Sequence, residues 1–451
     1  MAIRIALIAV KSTFIESPWM FGTLGLWYLW PILEAAGHEC QYFALDGDEL
    51  PTEGFDRYLV SGTSPQAFEL RRVGDVLRAH GCRTIVGGAH ATMRPDDLVG
   101  HYDVVVKGEG EEIVLDALDA PPGTVLSPSR PADITRLPLP VRKAQHRFRY
   151  PLPDNDGSLH WAAHLFTSRG CPMRCDFCET GRFSKIWPSP VRYEPVAKVV
   201  QQIEEIVGAT YWYDEQGQAH LFDALMFYDD IFPLNKHRTL ALLDEMRRIH
   251  HATGMIWRCF MRVDVIAKHG GQAYLQQMYD AGLREVLCGV ESGSQRILDI
   301  IHKGTTVEEN TLARKWCKEI GLRFKASTIL GLPGEDRESM EATRRWLFDN
   351  LPDRVDVNIY IPFLGTPLTD SILRGERVYD LEIVEPGLHT DEFWYSGKNR
   401  ATNALCRTSS LSRDEIFEFR NRLMAELEAI YGAREAVYGS HFRFPNEGQL
   451  I

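Results

Sequence analysis

Short apolar runs alternate with longer segments of helical periodicity along most of the chain, and this alternation predicts the fold class. In the first quarter of the chain the predicted strands are IRIALIAV, RYLVSGTS, RTIVGGAH and YDVVVKGEG, and predicted helices between them end at Gly37 and Gly81. Strand–helix repeats of this kind form a parallel, doubly wound sheet. Its ligand crevice lies at the carboxyl ends of the strands, so the loops at 61–65, 87–90 and 107–110 are predicted to line it.

The pattern breaks in residues 119–153, which are rich in proline and serine and are predicted to be an interdomain linker. Six further strand–helix units follow, with predicted strands HLFTSRG, ALMFYDDIF, MIWRCFMRVDVI, EVLCGVES, FKASTILGLP and DVNIYIPF. Parallel units in this number close partly into a barrel of the TIM type, whose active site lies on the loops after the strands. We therefore predict a doubly wound, Rossmann-like domain at 1–118, a partial barrel at 154–375 and a mainly helical C-terminal region at 376–451.

The composition indicates the cellular compartment and limits the classes of partner that we expect. A chain of 451 residues with 44% hydrophobic and 25% charged content is typical of soluble proteins. It has no apolar run of the ~18 residues that a membrane span needs, and its start lacks the features of a secretory signal. We expect a cytoplasmic protein with reduced cysteines. The net charge of −12 disfavours a nucleic acid polymer as partner.

Three of the nine cysteines, Cys171, Cys175 and Cys178, follow the first predicted barrel strand in a C-x3-C-x2-C arrangement. Soft thiolates in one loop select an iron–sulfur cluster or zinc. A closed zinc site needs four ligands, and here no second cysteine pair is present, although His164 is a possible fourth ligand from the strand upstream. A 4Fe–4S cluster held by three cysteines instead leaves one iron open to a reacting ligand.

The segment CPMRCDFC, with Phe177 before the last cysteine, resembles the radical S-adenosylmethionine (SAM) superfamily. The segments FYDDIF, CFMRVD, GVESGSQRILDIIHKGTT, ILGLPGEDRESMEAT and IPFLGTPL resemble later strand regions of the same barrel, in the same order. The resemblance covers about residues 160–370. It implies that SAM chelates the open iron and is cleaved by one-electron reduction to a 5′-deoxyadenosyl radical, which removes a hydrogen atom from the substrate.

The resemblance also implies a set of SAM-binding residues. Glu291 would contact the ribose or methionyl part of SAM, one of Asp229 and Asp230 would bind its methionyl end, and Arg262 and Lys325 could neutralise its carboxylate. A solvated loop carboxylate is the alternative for Glu291, and single basic residues such as Arg262 and Lys325 are more often ordinary ion-pair partners. The implied set is Phe177, Asp229, Asp230, Arg262, Glu291, Ser292, Lys325, Gly331, Gly334 and Pro362.

The first domain resembles the N-terminal domain of the cobalamin-binding subgroup of radical SAM enzymes, on the segments SPWMFGTLGLWYLWPILEAAGHE, YLVSGTSPQ, IVGGAHATMRPDDL and DVVVKGEGEE. The D-x-H-x-x-G motif that supplies a histidine to cobalt in other cobalamin proteins is absent, so no protein nitrogen ligand is assigned. A doubly wound domain that has lost the cofactor is the alternative. The implied cobalamin-binding residues are Trp19, Ser61, Gly62, Thr63, Ser64, Gly87, Gly88, His90, Gly108 and Glu109.

These resemblances imply a cobalamin-dependent radical SAM enzyme that methylates an unactivated carbon of a small metabolite, natural-product intermediate or modified nucleoside. Electrons would come from a flavodoxin or ferredoxin. A radical rearrangement, isomerisation or cyclisation without methyl transfer is the alternative, and a non-catalytic corrinoid or iron–sulfur carrier is a more remote one. A methylthiotransferase is disfavoured because only Cys40 and Cys82 lie in the first domain, far apart in sequence.

Overall fold

Six parallel strands form the N-terminal sheet of the protein, whose computed structural model describes residues 2–12, 17–180, 191–214, 216–376, 380–384 and 404–431. Their spatial order is β2-β1-β3-β4-β5-β6. The order reverses between β1 and β3, and a doubly wound sheet binds its ligands at such a switch point. The predicted doubly wound fold is confirmed. The strands β1–β6 are Arg4–Ala9, Glu39–Ala44, Arg57–Ser61, Thr84–Gly87, Val104–Val106 and Thr124–Leu126.

Helices cover both faces of this sheet because the strands are apolar on both sides. Ile5 and Leu7 of β1 belong to one buried cluster with Trp27, whereas Ala6 and Ile8 belong to another with Leu70. Burial on both faces is what the continuous apolar run of β1 predicts. The helices are α1 (Leu24–Ala35), α2 (Ala67–Ala79), α3 (Ala89–Met93) and α4 (Val114–Asp119), with short 3₁₀ turns at Pro18–Met20, Ser64–Gln66, Pro95–Asp97, Gly110–Glu112 and Gln145–Arg147.

The second sheet has seven strands in the order β13-β12-β11-β10-β9-β8-β7. The edge strand β7 is antiparallel to β8, and the other six run parallel in chain order, as a partial barrel requires. The predicted barrel is confirmed as a half-barrel. The strands β7–β13 are Tyr150–Pro153, Leu159–Leu165, Ala224–Phe227, Ile256–Met261, Leu283–Glu291, Arg323–Leu330 and Arg354–Ile359.

Helices pack on the outer face of the half-barrel, where alternate strand residues form the largest apolar core. Trp257 and Cys259 of β10 lie in this core, and Arg258 between them faces the inside. The helices are α5 (Val196–Ala209), α6 (Lys236–Thr253), α7 (Val263–His269), α8 (Gln272–Asp280), α9 (Gln295–Ile300), α10 (Val307–Ile320), α11 (Arg337–Asn350), α12 (Pro367–Leu373) and α13 (Arg413–Tyr431). No helix in the described ranges is long and apolar enough to cross a membrane.

Buried charges fill the inner, N-terminal half of the half-barrel. The Glu285 carboxylate lies 2.8 Å from Arg354 and 3.2 Å from Arg258, and Lys325 lies 3.0 Å from Asp356. Burial alone would raise the pKa of Glu285, but the two arginines outweigh it and hold this pKa below its usual value. A buried carboxylate of this kind remains ionised because it is paired.

The interval 119–153, predicted as a linker, carries strands of both sheets, namely β6 and β7. The domain limits therefore stay a prediction. Three short antiparallel ribbons complete the described structure: Ser168–Arg169 with Arg192–Tyr193, Tyr211–Tyr213 with Ala219–Leu221, and Leu381–Ile383 with Cys406–Thr408.

Candidate active site

The three cysteines lie on one loop after β8, at the carboxyl end of the half-barrel. Cys175 is buried, and Cys171 and Cys178 are partly exposed. Burial raises the pKa of the Cys171 thiol to about 11, and the nearby Asp230 carboxylate and the other two thiols act in the same direction. A metal must therefore displace protons when it binds here. Three thiols on one loop are the donor set that an iron–sulfur cluster takes.

Across the described ranges, no three His, Cys, Asp or Glu side chains are grouped so that they could hold one metal ion. This finding concerns a single-ion site. In a cluster each cysteine binds a different iron, so its thiols stand further apart than the ligands of one ion.

The two adjacent aspartates after β9 have different surroundings. Asp229 is fully buried and accepts hydrogen bonds from the backbone N–H of Thr167 (2.7 Å) and from the hydroxyls of Thr167 and Ser168 (2.6 and 2.5 Å). It thereby fixes the end of β8, from which the cysteine loop departs. Asp230 lies beside the cysteine loop, where it accepts from the Thr180 hydroxyl at 3.3 Å. Desolvation and the adjacent Asp229 carboxylate raise its pKa to about 6.

Two buried cations lie next to the cysteine loop. The Nη1 atom of Arg262 is 3.6 Å from the Cys175 sulfur, and its Nη2 donates to the carbonyl of Lys303 at 2.7 Å. The Lys303 ammonium pairs with Glu291 at 2.6 Å. Burial would lower the pKa of each cation, but the carboxylates of Asp264 beside Arg262 and of Glu291 beside Lys303 outweigh it and raise both. The structure thus brings the predicted Arg262 and Glu291 together, through a lysine that the sequence did not single out.

Glu291 occupies a strained backbone position. Its φ is +59°, in the left-handed region that side chains other than glycine rarely adopt, and the pairing of β11 with β12 shifts register at this point. Strain of this kind costs about 1–3 kcal/mol and collects at ligand sites. Here it turns the Glu291 carboxylate toward Lys303.

Two other residues predicted to bind SAM have their side chains engaged within the barrel wall. Ser292 is fully buried, 3.2 Å from the Thr343 hydroxyl, and accepts the N–H of Ser294 at 3.1 Å. Lys325 is the third residue of β12 and pairs with Asp356, in the half of the barrel away from the cysteine loop. A role for either in SAM binding stays a prediction.

The predicted glycine turn after β12 is closed by a carboxyl that sequence reasoning missed. Gly331 and Gly334 have φ of +80° and +74°, and Glu335 accepts the N–H groups of Gly331 and Leu332. Burial raises the pKa of Glu335 to about 8, and its Oε1 atom is buried without a hydrogen-bond partner among the described residues. A glutamate at the fifth position of GLPGE is the signal that could have found it.

An apolar wall lies beside this turn and the cysteine loop. Phe177 packs against a buried cluster that includes Ile297, Leu332 and Leu368. Pro362, predicted from the same resemblance, is buried in the loop that leads from β13 to α12. The N–H of Leu368 donates to the carbonyl of Asp176 at 3.0 Å, which ties α12 to the cysteine loop.

In the N-terminal crevice, two of the predicted loops are in close contact. A Cβ atom on Gly88 would lie 2.7 Å from the Ser61 hydroxyl and 2.9 Å from the Gly62 carbonyl oxygen, so only glycine fits. A Cβ atom on Gly87 would meet its nearest neighbour at 3.8 Å. The N–H of Gly108 donates to the Thr92 hydroxyl at 3.0 Å. This edge of the sheet therefore presents closely spaced backbone.

The side chains predicted for cobalamin make contacts within the protein. His90 is buried, and its Nε2 atom is hydrogen-bonded to Asp97 at 2.8 Å. Thr63 precedes the turn that begins at Ser64 and caps it, because its hydroxyl donates to the side-chain oxygen of Gln66. Trp19 lies with its ring centroid 5.5 Å from that of Phe148, and the guanidinium of Arg147 lies 4.9 Å from its centroid. Cobalamin contacts at these side chains stay predictions.

The remaining two residues predicted to bind cobalamin, Glu109 and Ser64, join the N-terminal domain to the two ends of the cysteine loop. Arg169, two residues before the first cysteine, pairs with Glu111 at 2.6 Å and with Glu109 at 3.3 Å. Arg192 also pairs with Glu109, and these arginines hold the pKa of Glu109 below its usual value against the effect of burial. At the other end the Ser64 hydroxyl donates to Glu179 at 2.8 Å. We call the contacts of Arg169 with Glu109 and Glu111 the interdomain clamp.

A three-thiol loop at the mouth of a parallel half-barrel defines the radical SAM class, and residues 165–347 match the model of the Radical SAM superfamily. This segment is a radical SAM domain, and the domain implies a 4Fe–4S cluster and SAM as its cofactors. It is 29% identical to an uncharacterized methyltransferase of Pyrococcus horikoshii, over 63% of this chain and 61% of that one. It is 26% identical to an anaerobic magnesium-protoporphyrin IX monomethyl ester cyclase of Rubrivivax gelatinosus, over 66% of this chain and 55% of that one. The chain thus spans only about half to three fifths of these relatives' length.

The fold resembles two solved radical SAM structures. The methyltransferase TsrM from Kitasatospora setae, solved with cobalamin and a 4Fe–4S cluster bound, matches with a TM-score of 0.62 and 17% identity over 83% of this chain and 78% of that one. The cobalamin-dependent enzyme OxsB, solved with aqua-cobalamin and SAM, matches with a TM-score of 0.61 and 17% identity over 84% and 56%. At this identity the likeness concerns the fold alone.

Proposed function

We propose that the chain is a cobalamin-dependent radical SAM enzyme that transfers a methyl group to an unactivated carbon of a small molecule. The observation that carries the proposal is that the cysteine loop contacts the crevice loops of the N-terminal sheet at both of its ends. The Arg169 and Glu179 contacts bring three thiols against the edge of the sheet at which doubly wound domains bind their ligands. Two cofactor sites that face each other suit a reaction that needs both cofactors.

In this proposal Cys171, Cys175 and Cys178 hold the cluster. The charged groups around them suit the methionyl end of SAM, which carries an ammonium and a carboxylate. Asp230 supplies an anion beside the cysteine loop, and Arg262 supplies a cation beside Cys175. The backbone of the Gly331–Gly334 turn and the apolar wall at Phe177 are suited to the adenine side. When bound, the cluster and SAM supply a carbon-centred radical, and cobalamin supplies a transferable methyl group.

For cobalamin, the crevice offers groups of the protein backbone and no assigned side-chain ligand for cobalt. The loops at 61–64, 87–88 and 108 approach one another closely, and such an edge of backbone fits a flat macrocycle. His90 bonds Asp97 through Nε2, its Nδ1 atom is buried, and the D-x-H-x-x-G motif is absent, so we assign no protein nitrogen to cobalt. The methylase and methyltransferase names of relatives support the same reading.

The substrate that we propose is a small metabolite, a natural-product intermediate or a modified nucleoside. TsrM, whose structure was also solved with tryptophan and a SAM analogue, gives an example of such a substrate in a related fold. The mouth of the half-barrel offers half-buried polar groups for it, including Ser327 and Asn358, which are hydrogen-bonded at 3.1 Å. Electrons would come from a flavodoxin or ferredoxin, and a cytoplasmic location stays a prediction.

The test is anaerobic reconstitution of the full chain with iron, sulfide and hydroxocobalamin, followed by desalting. We expect about four irons and one cobalt per chain, and 5′-deoxyadenosine on addition of SAM and dithionite. The matched control replaces all three loop cysteines by alanine. Wild-type protein that binds iron but no cobalt would remove the methyl-transfer proposal, and protein that forms no 5′-deoxyadenosine would instead favour a carrier.

A second candidate is a radical cyclisation or rearrangement without methyl transfer, and the relatives named as cyclases favour it. SAM with a deuterated methyl group separates the two reactions once a substrate is found. A methylated product gains the label, whereas a cyclised or rearranged product does not.

A further inference from the structure

We propose that Arg262 acts on the cluster through Cys175 and raises its reduction potential, in addition to any contact with SAM. This inference rests on the proposed cluster site. It assigns Arg262 as a positioning residue whose N–H group points at a cluster ligand.

The guanidinium of Arg262 is held on three sides. Its Nε donates to Asp264 at 3.0 Å, its Nη2 donates to the Lys303 carbonyl at 2.7 Å, and its Nη1 lies 3.6 Å from the Cys175 sulfur. The side chain is only 8% exposed. A guanidinium fixed in this way keeps one N–H directed at the sulfur, because its planar fork leaves no other orientation that serves the two oxygens.

Lys303 is a second buried cation on the same side of the cysteine loop. Its ammonium pairs with Glu291 at 2.6 Å. Its carbonyl accepts from Arg262 and lies 4.0 Å from the Cys175 sulfur. The segment at Lys303 therefore fixes the distance between Arg262 and Cys175.

The far end of the loop carries a carboxylate instead. Asp230 accepts from the hydroxyl of Thr180, two residues after Cys178, at 3.3 Å. The cluster site is thus asymmetric, with the Arg262 N–H and two paired cations beside Cys175 and a carboxylate at the other end of the loop. Reduction adds one negative charge to the cluster. Hydrogen bonds and positive charge at its sulfurs favour the reduced state, and a neighbouring carboxylate disfavours it.

The test measures the potential of the reconstituted cluster without SAM, so that contact between Arg262 and SAM has no part in the result. Wild type and Arg262→Met, with iron quantified per chain, are equilibrated at pH 8 over graded potentials, and the reduced cluster is counted by electron paramagnetic resonance. At the wild-type midpoint, Arg262→Met is expected to show a ratio of reduced to oxidised cluster about ten-fold lower. That ratio corresponds to about 59 mV for a one-electron couple.

Three further variants sharpen the result. Arg262→Lys keeps the charge and loses the fork, so its ratio should fall less than that of Arg262→Met. Asp230→Asn removes the carboxylate at the other end of the loop and should raise the ratio. Arg248→Met removes an exposed cation on α6 and should leave the ratio unchanged.

An Arg262→Met protein with full iron content and a ratio within two-fold of wild type overturns the inference. If Arg262→Met binds no iron, Arg262→Lys decides, and a ratio equal to or above that of wild type overturns the inference. Wild-type protein that binds no iron is a different outcome, because it refutes the proposed cluster site itself.

Discussion

The mouth of the half-barrel and the crevice of the N-terminal sheet both lie at the carboxyl ends of parallel strands, but they use their polar side chains differently. At the barrel mouth, Arg262, Lys303 and Glu291 gather beside the cysteine loop. At the crevice, Glu109 and His90 bond to other parts of the protein instead.

This difference indicates two kinds of ligand. Charged side chains grouped at the barrel mouth suit a small, charged molecule such as SAM, because each charge of the ligand then finds a protein group to pair with. An edge of closely spaced backbone suits a large, flat molecule that binds by area. The polar groups of the crevice then serve a second purpose, since they hold the cysteine loop of the neighbouring domain.

The largest expected effect follows from removing the thiols. Replacing Cys171, Cys175 and Cys178 together by alanine should abolish iron binding, because no other group of the proposed site replaces three soft ligands. Cobalt binding should remain if the two sites are independent. Iron and cobalt per chain after reconstitution measure both effects, and Cys40→Ala, in β2 of the first domain, is the control. Loss of cobalt along with iron would show that the crevice depends on the cluster.

The interdomain clamp provides the next largest effect. Glu111 is almost fully buried beside Arg169, so Glu111→Gln leaves a buried guanidinium with one carboxylate fewer. We expect the free energy of unfolding to fall by about 3 kcal/mol, as when one partner of a buried pair is removed. Denaturant titration of the apo-protein measures it. Arg130→Met, which breaks the exposed pair with the neighbouring Glu112, should cost at most about 1 kcal/mol. Equal effects of the two variants would contradict a structural role for the clamp.

Backbone contact at the crevice can be tested at a single glycine. Gly88 has φ +93° and ψ −167°, a region reserved for glycine, and a Cβ atom there would collide with Ser61. Gly88→Ala should cost about 2–3 kcal/mol of stability and weaken cobalamin binding. Gly37→Ala is the matched control, since its φ is +88° but no atom lies within 4 Å of the added Cβ, and it should cost about 1 kcal/mol. Full cobalamin binding by Gly88→Ala would argue against this edge as the binding surface.

The sequence predicted the architecture because local patterns determine it. Apolar runs and helical periodicity located both sheets, and the position of the cysteines after β8 followed from strand order. The strands β2, β6 and β7 were missed. ECQYFA is not a continuous apolar run, TVL is too short, and YPLP is too rich in proline to register as a strand.

Most partners of the site could not be predicted in the same way. Arg262 and Cys175 are 87 residues apart, and Arg169 and Glu111 are 58 apart. Such pairs depend on the register and orientation of elements that meet only in the folded chain. The surroundings of Lys325 illustrate the same limit, because its position within β12 decides whether it faces the charged barrel interior or the mouth.

A buried carboxyl in each region gives the smallest and most specific test. Glu335 at the barrel mouth has its pKa raised to about 8 by burial, whereas the arginines hold the pKa of Glu109 below its usual value. A carboxyl with a raised pKa binds a proton more tightly in the folded state than in the unfolded state. Because of Glu335, the free energy of unfolding therefore falls as pH rises from about 4.5 to about 8. The fall is at most about 1.4 kcal/mol per pH unit. Glu109 contributes in the opposite sense, since its stabilisation is lost only as pH falls below about 4.5.

Glu335→Gln should therefore reduce the loss of stability between pH 6 and pH 8 by about 2 kcal/mol, because the amide oxygen can still accept from the turn and carries no charge. Glu338→Gln, on the exposed face of α11, is the control and should leave the slope unchanged. Denaturant midpoints at both pH values provide the measurement. A wild-type slope that Glu335→Gln does not alter would mean that the carboxyl is ionised in the folded protein, and that its buried Oε1 has a partner in solution.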